Sequence, residues 1–323
     1  MMDVIFGAGS IGYTGRDSPE DVVQILDLLR REGVSRIDTA QGYGASEELL
    51  GKAGVVARGF SIDTKYSGVM SPTPSSREGL IAAAEESLRK LNASKVDVYY
   101  LHSPDERASL EDLLAGIDEL YRRGAFARFG LSNFTGEGVE AVIRIASEKG
   151  YVLPSVFQGN YSAVCRRVET EVMPVLRKHH IPFIAYSPNA GGFLTKSPEE
   201  ILGGQTGGRW QSGTRLGSMY HALFTTEGML RFLREWSQIA DEAGIPKAEL
   251  AYRWVVFNSC LREEYGDAII FGARNLHQLE ETLAAIKKGP LAQREQDRIQ
   301  ALWKDAEEDS FLDNYNSYIK FHL

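Results

Sequence analysis

Cysteine is scarce in this chain of 323 residues: there are two, Cys165 and Cys260, far apart and in neither a zinc spacing nor a redox-pair spacing. That argues against a disulfide scaffold and against any metal site, and both thiols read as buried free cysteines. Positive charge is also in short supply. Lys and Arg total 36 against 44 Asp and Glu, a net charge of −8. No cationic surplus is available to hold nucleic acid or an acidic membrane surface, and a modest acidic balance serves solubility. No apolar run approaches the ~18 residues needed to cross a bilayer. The chain opens Met1-Met2-Asp3-Val4 directly into a strand-like run, with no secretory leader pattern, and its final Phe321-His322-Leu323 is not a targeting address. By elimination, the expected location is the cytoplasm and the expected partner a small molecule.

With 43% hydrophobic and 25% charged residues, the composition is that of a globular protein, and the length suits one α/β barrel. Short β-rich runs alternate with segments of helical period. Strands are expected at 4–6, 35–38, 61–65, 96–101, 127–131, 156–158, 183–186 and 268–271. Helices are expected at 19–32, 47–50, 75–91, 110–123, 138–149, 169–179, 226–243, 247–257, 276–287 and 293–308. Ser18 and Pro19 read as N-cap and first helical residue, Gly33 as the residue just past that helix, and Pro174 as an awkward interior residue. Eight β-then-α units predict a (β/α)8 TIM barrel, one domain over 1–323, with extra C-terminal helices. A Gly-rich stretch, 189–217, comes after strand seven, and a loop of that length reads as a lid or binding loop.

The segment Gly7-Ala8-Gly9-Ser10-Ile11-Gly12 matches the G-x-G-x-x-G pattern of a Rossmann dinucleotide site. Its context argues otherwise. A helix should begin inside the motif, yet Gly12, Tyr13, Gly15 and Pro19 break up the chain at and just beyond its end. Asp38 does end strand two, so the Rossmann reading stays open beside the preferred one, a Gly-rich turn after the first barrel strand.

Barrel chemistry sits at the C-terminal ends of strands, facing one mouth. Strand two ends in Asp38 with Tyr43 in the loop beyond, strand three in Lys65, and strand four in His102. An acid, a phenol, an amine and an imidazole thus converge from three adjacent strands. Reduction of a carbonyl needs a hydride donor and a proton donor to the nascent alkoxide. Tyr43 suits the acid, Lys65 a cation lowering its pKa, Asp38 the partner of Lys65, and His102 the group that orients the substrate oxygen and relays protons.

These residues, with Arg36-Ile37-Asp38-Thr39-Ala40, Tyr43-Gly44, Thr64-Lys65 and the run Asp97 to Asp105, resemble the aldo-keto reductase superfamily. The similarity continues through Phe129 to Phe134, Phe157-Gln158, Ala185 to Pro188 and Gly272 to Leu279. The segments Gly191 to Leu194 and Gly208-Arg209-Trp210 are most similar to its aflatoxin-aldehyde reductase branch. The resemblance implies that Asp38, Tyr43, Lys65 and His102 are catalytic and that NADPH lies across the barrel mouth. It implies carboxamide contacts from Ser132, Asn133 and Gln158, and ring stacking from Tyr186. A pyrophosphate loop would begin at Ser187, Gly191 and Leu194. The adenosine 2′-phosphate site would draw on Ala273, Arg274, Asn275, Gln278, Glu281 and Thr282, with Ala273 and Thr282 departing from the family pattern and leaving NADPH over NADH less secured. Tyr13, Arg209 and Trp210, together with Tyr220 and Phe224, are the candidates to meet a carbonyl substrate. The branch also carries a homodimer as the assembly to test.

Two other readings compete with the reductase. One is a regulatory nicotinamide-binding barrel resembling potassium-channel β subunits. The other is a non-redox barrel enzyme using Lys65 as a Schiff-base amine.

Overall fold

A computed structural model describes residues 2–12, 18–203, 208–314, 316, 317 and 319. Its eight strands are β1 (Asp3–Gly7), β2 (Arg36–Asp38), β3 (Ser61–Tyr66), β4 (Val96–Leu101), β5 (Phe126–Ser132), β6 (Pro154–Asn160), β7 (Phe183–Tyr186) and β8 (Ala268–Phe271). All pair in parallel in chain order, and β8 closes on β1 through Ile5↔Ile270 and its neighbours. The expected (β/α)8 barrel is the fold.

Strand alternation divides the core in two. Ile5, Val98, Tyr100, Val156, Ile184, Ala268 and Ile270 point inward and fill the lumen. The opposite faces, such as Phe6, Ile37, Ile62, Tyr99, Leu131, Phe157 and Phe183, pack beneath the surrounding helices. Tyr100 can cross the lumen because Gly130 faces it: a Cβ there would stand 2.3 Å from the ring.

Helix ends obey local chemistry. Ser18 caps Pro19–Arg31 by accepting from the Asp21 amide, Ser76 caps Arg77–Leu91, and Thr226 caps Glu227–Ala243. The helix expected over 169–179 is two pieces, Val168–Glu171 and Met173–Lys178. Pro174 cannot continue an α-helical ladder but fits a first turn, so the chain restarts there after Val172. The helix expected over 247–257 is α only to Arg253 and widens into a π-turn over Trp254–Asn258.

The stretch after β7 is largely ordered rather than looped. It carries a 3-10 segment Ala190–Thr195, the helix Pro198–Leu202, a turn Gly208–Trp210 and the helix Arg215–Phe224. Among the described residues the first helix after Gly12 begins at Pro19, and Ala8 donates to the Asp38 carbonyl at 2.8 Å as part of the barrel rim. The Gly-rich segment is therefore a β1 turn and not a Rossmann phosphate loop. Among the described residues, no helix is long and apolar enough to cross a membrane.

Candidate active site

The mouth is built from the bottom of the barrel upward. Asp38 and Lys65 are inward-facing residues near the ends of β2 and β3. Lys65 is fully buried, and its ammonium meets both Asp38 carboxylate oxygens at 2.6 Å and the Thr39 carbonyl at 2.7 Å. Those contacts use all three ammonium donors. Burial works against the charge on Lys65, but Asp38 and its neighbours outweigh that and hold the pKa above the usual lysine value. Gln158 of β6 donates to Asp38 at 2.8 Å and steadies the carboxylate from the far wall.

Tyr43 hangs over this pair. Its loop is pinned where Thr39 and Ser46 hydroxyls meet at 2.9 Å and Ser46 donates to the Ala8 carbonyl at 3.0 Å. Lys65 Nζ lies 5.2 Å from the centroid of the Tyr43 ring. Gly9 backs the same ring, and a Cβ there would stand 3.4 Å from it. Burial pushes the Tyr43 phenol above its ordinary value, and the Lys65 ammonium pulls against that shift without cancelling it. The expectation that the cation would bring the phenol below its ordinary value is thus corrected: desolvation wins, and Tyr43 keeps its proton at neutral pH.

His102 comes directly after β4, its amide bonded to the Tyr66 carbonyl at 3.0 Å. Its ring meets Tyr43 edge-on at 5.6 Å. Burial, reinforced by Lys65, holds the imidazole pKa well below the usual histidine value, so the ring is neutral. Its Nδ1 is buried and has no hydrogen-bond partner among the described residues. Asp38, Tyr43, Lys65 and His102 therefore stand together at one mouth.

The residues expected to hold the nicotinamide end lie on the next three strands. Ser132 is buried at the end of β5 with its hydroxyl unpartnered among the described residues, a group of the kind a carboxamide would satisfy. Asn133, in left-handed conformation at φ 61°, is more occupied than expected. It donates to the His102 carbonyl at 2.8 Å and accepts the Tyr186 phenol at 2.8 Å. Tyr186 is half-buried at the end of β7, its ring oriented by that bond.

Farther out, some expectations change. Ser187 turns at φ 57° and its carbonyl accepts Ala190 at 2.8 Å. Gly191, at φ 64°, lets the Tyr220 ring approach to where a Cβ would be 2.1 Å away. Leu194 has a fully buried side chain, and its carbonyl accepts from Trp236 at 3.0 Å, so its side chain serves the core. Trp210 is likewise fully buried, bonded to the Gly191 carbonyl at 3.1 Å, stacked on Phe193, edge-on to Tyr220 and tilted against Phe224. It builds the lid rather than lining the mouth, because an indole this large is held by its packing. Arg209 next to it reaches the Tyr220 hydroxyl at 3.2 Å, and its charge is felt at Tyr43. Tyr13 lies outside the described residues.

At the β8 end, Arg274 is exposed, and among the described residues it makes no ion pair. Of the nearby acids, Glu280 pairs with Arg31 at 2.9 Å, and Glu281 lies 3.3 Å from the His277 imidazole on its own helix. Gln278 supports Arg274 from below, accepting its amide at 3.0 Å, while Asn275 caps the helix Leu276–Ile286. Thr282 is buried against the Tyr252 phenol and faces the core rather than this edge. Among the described residues the exposed Arg274 guanidinium beyond β8 and the unpartnered Ser132 hydroxyl at the end of β5 are groups that a nicotinamide nucleotide can engage. The charged residues that sequence reading missed are in the lumen: Arg36 and Asp63. Counting alternate positions back from Asp38 and Lys65 would have found them.

Fold and mouth together define a parallel-barrel protein whose polar cluster gathers at the C-terminal ends of its strands. Residues 3–304 match the aldo/keto reductase family, and the chain belongs to it. It is 34% identical over 322 residues to an oxidoreductase, sirO, of Leptosphaeria maculans, covering 95% of each chain. It is 34% identical over 310 residues to human aflatoxin B1 aldehyde reductase member 4, covering 93% of each. It is 34% identical over 317 residues to human aldo-keto reductase family 7 member A3, again 93% of each. The chain is thus an oxidoreductase of a family that reduces carbonyl groups with nicotinamide cofactors.

Proposed function

We propose that this protein reduces aldehydes and ketones to alcohols with NADPH, and that Tyr43 delivers the proton. The observation that carries the reading is the fully buried Lys65, its three donors spent on Asp38 and Thr39, beneath the Tyr43 ring and beside a neutral His102.

The chemistry NADPH supplies when bound is hydride delivery to the carbonyl carbon. The chain's own residues supply the rest. Tyr43 holds a proton at its phenol oxygen until charge develops on the substrate oxygen, then gives it up there. Lys65 stabilises the phenolate that remains, which is a gain realised only as the reaction proceeds. Asp38 and Gln158 keep the ammonium from following the charge. His102, neutral and at the ring edge of Tyr43, hydrogen-bonds and orients the substrate oxygen. Ser132, Asn133 and Gln158 would hold the carboxamide, Tyr186 the nicotinamide ring and Arg274 the 2′-phosphate.

The Schiff-base alternative fits poorly, because a protonated amine with three fixed acceptors has no lone pair to offer. Two free cysteines suit the reducing cytoplasm, where we place the activity. The homodimer of the branch it resembles is checked by light scattering on the purified protein.

The test is loss of reduced-nicotinamide absorbance with 4-nitrobenzaldehyde, offering NADPH and NADH in parallel. Turnover with NADPH should fall by about 10²–10⁴-fold in Tyr43→Phe while NADPH still binds. Arg274→Ala should weaken NADPH and leave NADH unaffected. A wild-type protein that binds NADPH without turning over any carbonyl would favour the regulatory reading instead.

A further inference from the structure

The lumen beneath Lys65 is not purely apolar. Asp63 precedes Lys65 by two residues on β3, so both side chains turn into the barrel. Register sets Asp63 beside Asp38 of β2, and its backbone carbonyl accepts the Thr39 amide at 2.8 Å. Two carboxyl groups therefore lie side by side on neighbouring strands, both buried.

Their surroundings differ. Asp38 has a lysine ammonium and a glutamine amide, each within 2.8 Å. Among the described residues the Asp63 carboxyl has one contact, Arg36 Nη2 at 3.3 Å, and that arginine makes its shorter bond, 2.8 Å, to Asp3. Among the described residues, Asp63 Oδ1, the Tyr100 hydroxyl and Arg36 Nε are all buried and unpartnered. Of the two acids, Asp63 is the one poorly provided for as an anion.

We propose that Asp63 is a positioning residue for the reaction at Tyr43, acting through Lys65: neutral, it lets Tyr43 release its proton, and ionised, it holds that proton back. The proposal rests on the reductase reading above. The physical reason is charge in a low-dielectric lumen. A second carboxylate beside Asp38 claims part of the Lys65 field and opposes a new negative charge on the phenol. The Asp63 proton itself is not transferred to substrate.

The groups facing Asp63 come from every strand packed on it. Arg36 from β2 and Arg128 from β5 favour its anion, while Asp38 from β2 and Asp97 from β4 oppose it. Tyr100 from β4 and Lys65 on β3 itself also feel its charge. Burial is the largest influence, and the carboxyl is pushed up to about 7. Below that pH the acid is neutral and reduction is fast; above it the acid is ionised and reduction slows.

The experiment is a pH titration of the full chain, wild type and Asp63→Asn, followed by NMR. The Asp63 carboxyl carbon and the Tyr43 ring signals should move with one shared midpoint in wild type, and the ring signals should lose that movement in the variant. In parallel, kcat for aldehyde reduction should drop about three- to tenfold through the same midpoint at constant KM. Asp63→Asn should lack that limb, and Asp63→Glu should restore it at a displaced pH. A merely structural residue would change stability or KM alike at every pH. Identical pH courses for Asp and Asn overturn the proposal. Should the variant not fold, the absence of any wild-type carboxyl titrating between about pH 6 and 8 overturns it as well. Should neither protein turn over, the reductase reading fails, and the shared NMR midpoint still decides whether Asp63 governs Tyr43.

Discussion

Lys65 and Asp38 form a pair that neither member can leave cheaply. Lys65→Met would strand a buried carboxylate and should cost about 3–5 kcal/mol, whereas the double change with Asp38→Asn should cost less than the sum of the singles. Chemical denaturation of the four proteins measures this directly. His102 carries a pH signature of its own. The folded protein keeps the imidazole neutral, while the unfolded chain takes up a proton near the ordinary histidine value of about 6.5. Unfolding therefore gains protons below that pH, and stability falls as the pH drops from there towards the depressed folded value. His102→Gln should lose less stability than wild type between about pH 7 and 5. Beyond the mouth, Arg209 donates to the Tyr220 hydroxyl and its charge is felt at Tyr43, which suits an anionic substrate tail. Arg209→Ala should raise KM for a carboxylated aldehyde more than for a neutral one, and equal effects would remove Arg209 from substrate recognition.

At the scale of elements, two close approaches matter. Gly130 on β5 admits the Tyr100 ring, a rigid neighbour that cannot swing aside. Gly130→Ala should cost about 1–3 kcal/mol, seen as a lowered Tm, and Tyr100→Leu should relieve it by making room for the methyl. The lid depends on Trp210 in the same way. That side chain joins the turn Gly208–Trp210 to the segment Ala190–Thr195 and to the helix Arg215–Phe224. Trp210→Ala should lower the Tm, at a cost of about 3–5 kcal/mol, and open the lid to limited proteolysis, since the indole is fully buried in the core that also packs the barrel. Strand and helix positions were largely legible because their periods are physical consequences of burial. The lid helices were not, because glycines at 191, 192, 208, 213 and 217 mask a pattern that only packing against Trp210 and Trp236 completes.

Across the whole molecule, the C-terminal segment ties distant parts together. Phe311 meets Phe224 of the lid edge-on at 5.0 Å, Asn314 donates to Tyr220 at 3.3 Å, and Asn316 donates to the Asn133 carbonyl at 3.0 Å. Lid, tail and the end of β5 thus share one seam over the mouth. Removing residues 310–323 should loosen nicotinamide binding and speed lid cleavage while the barrel still folds, as read by fluorescence titration and proteolysis.

The order of residues was enough to define the barrel, since eight alternations of period two and period 3.6 admit few other closed solutions, and enough to say which strand ends bear Asp38, Lys65 and His102. The electrostatics came from packing. Burial raised the Tyr43 phenol where the neighbouring cation pointed the other way, and it turned Trp210, Leu194 and Thr282 into core. Folding paired Glu280 with Arg31, far away in the chain, and it set Asp63 beside Asp38. These are effects of desolvation and of through-space distance, and neither is a property of a residue's place in the chain.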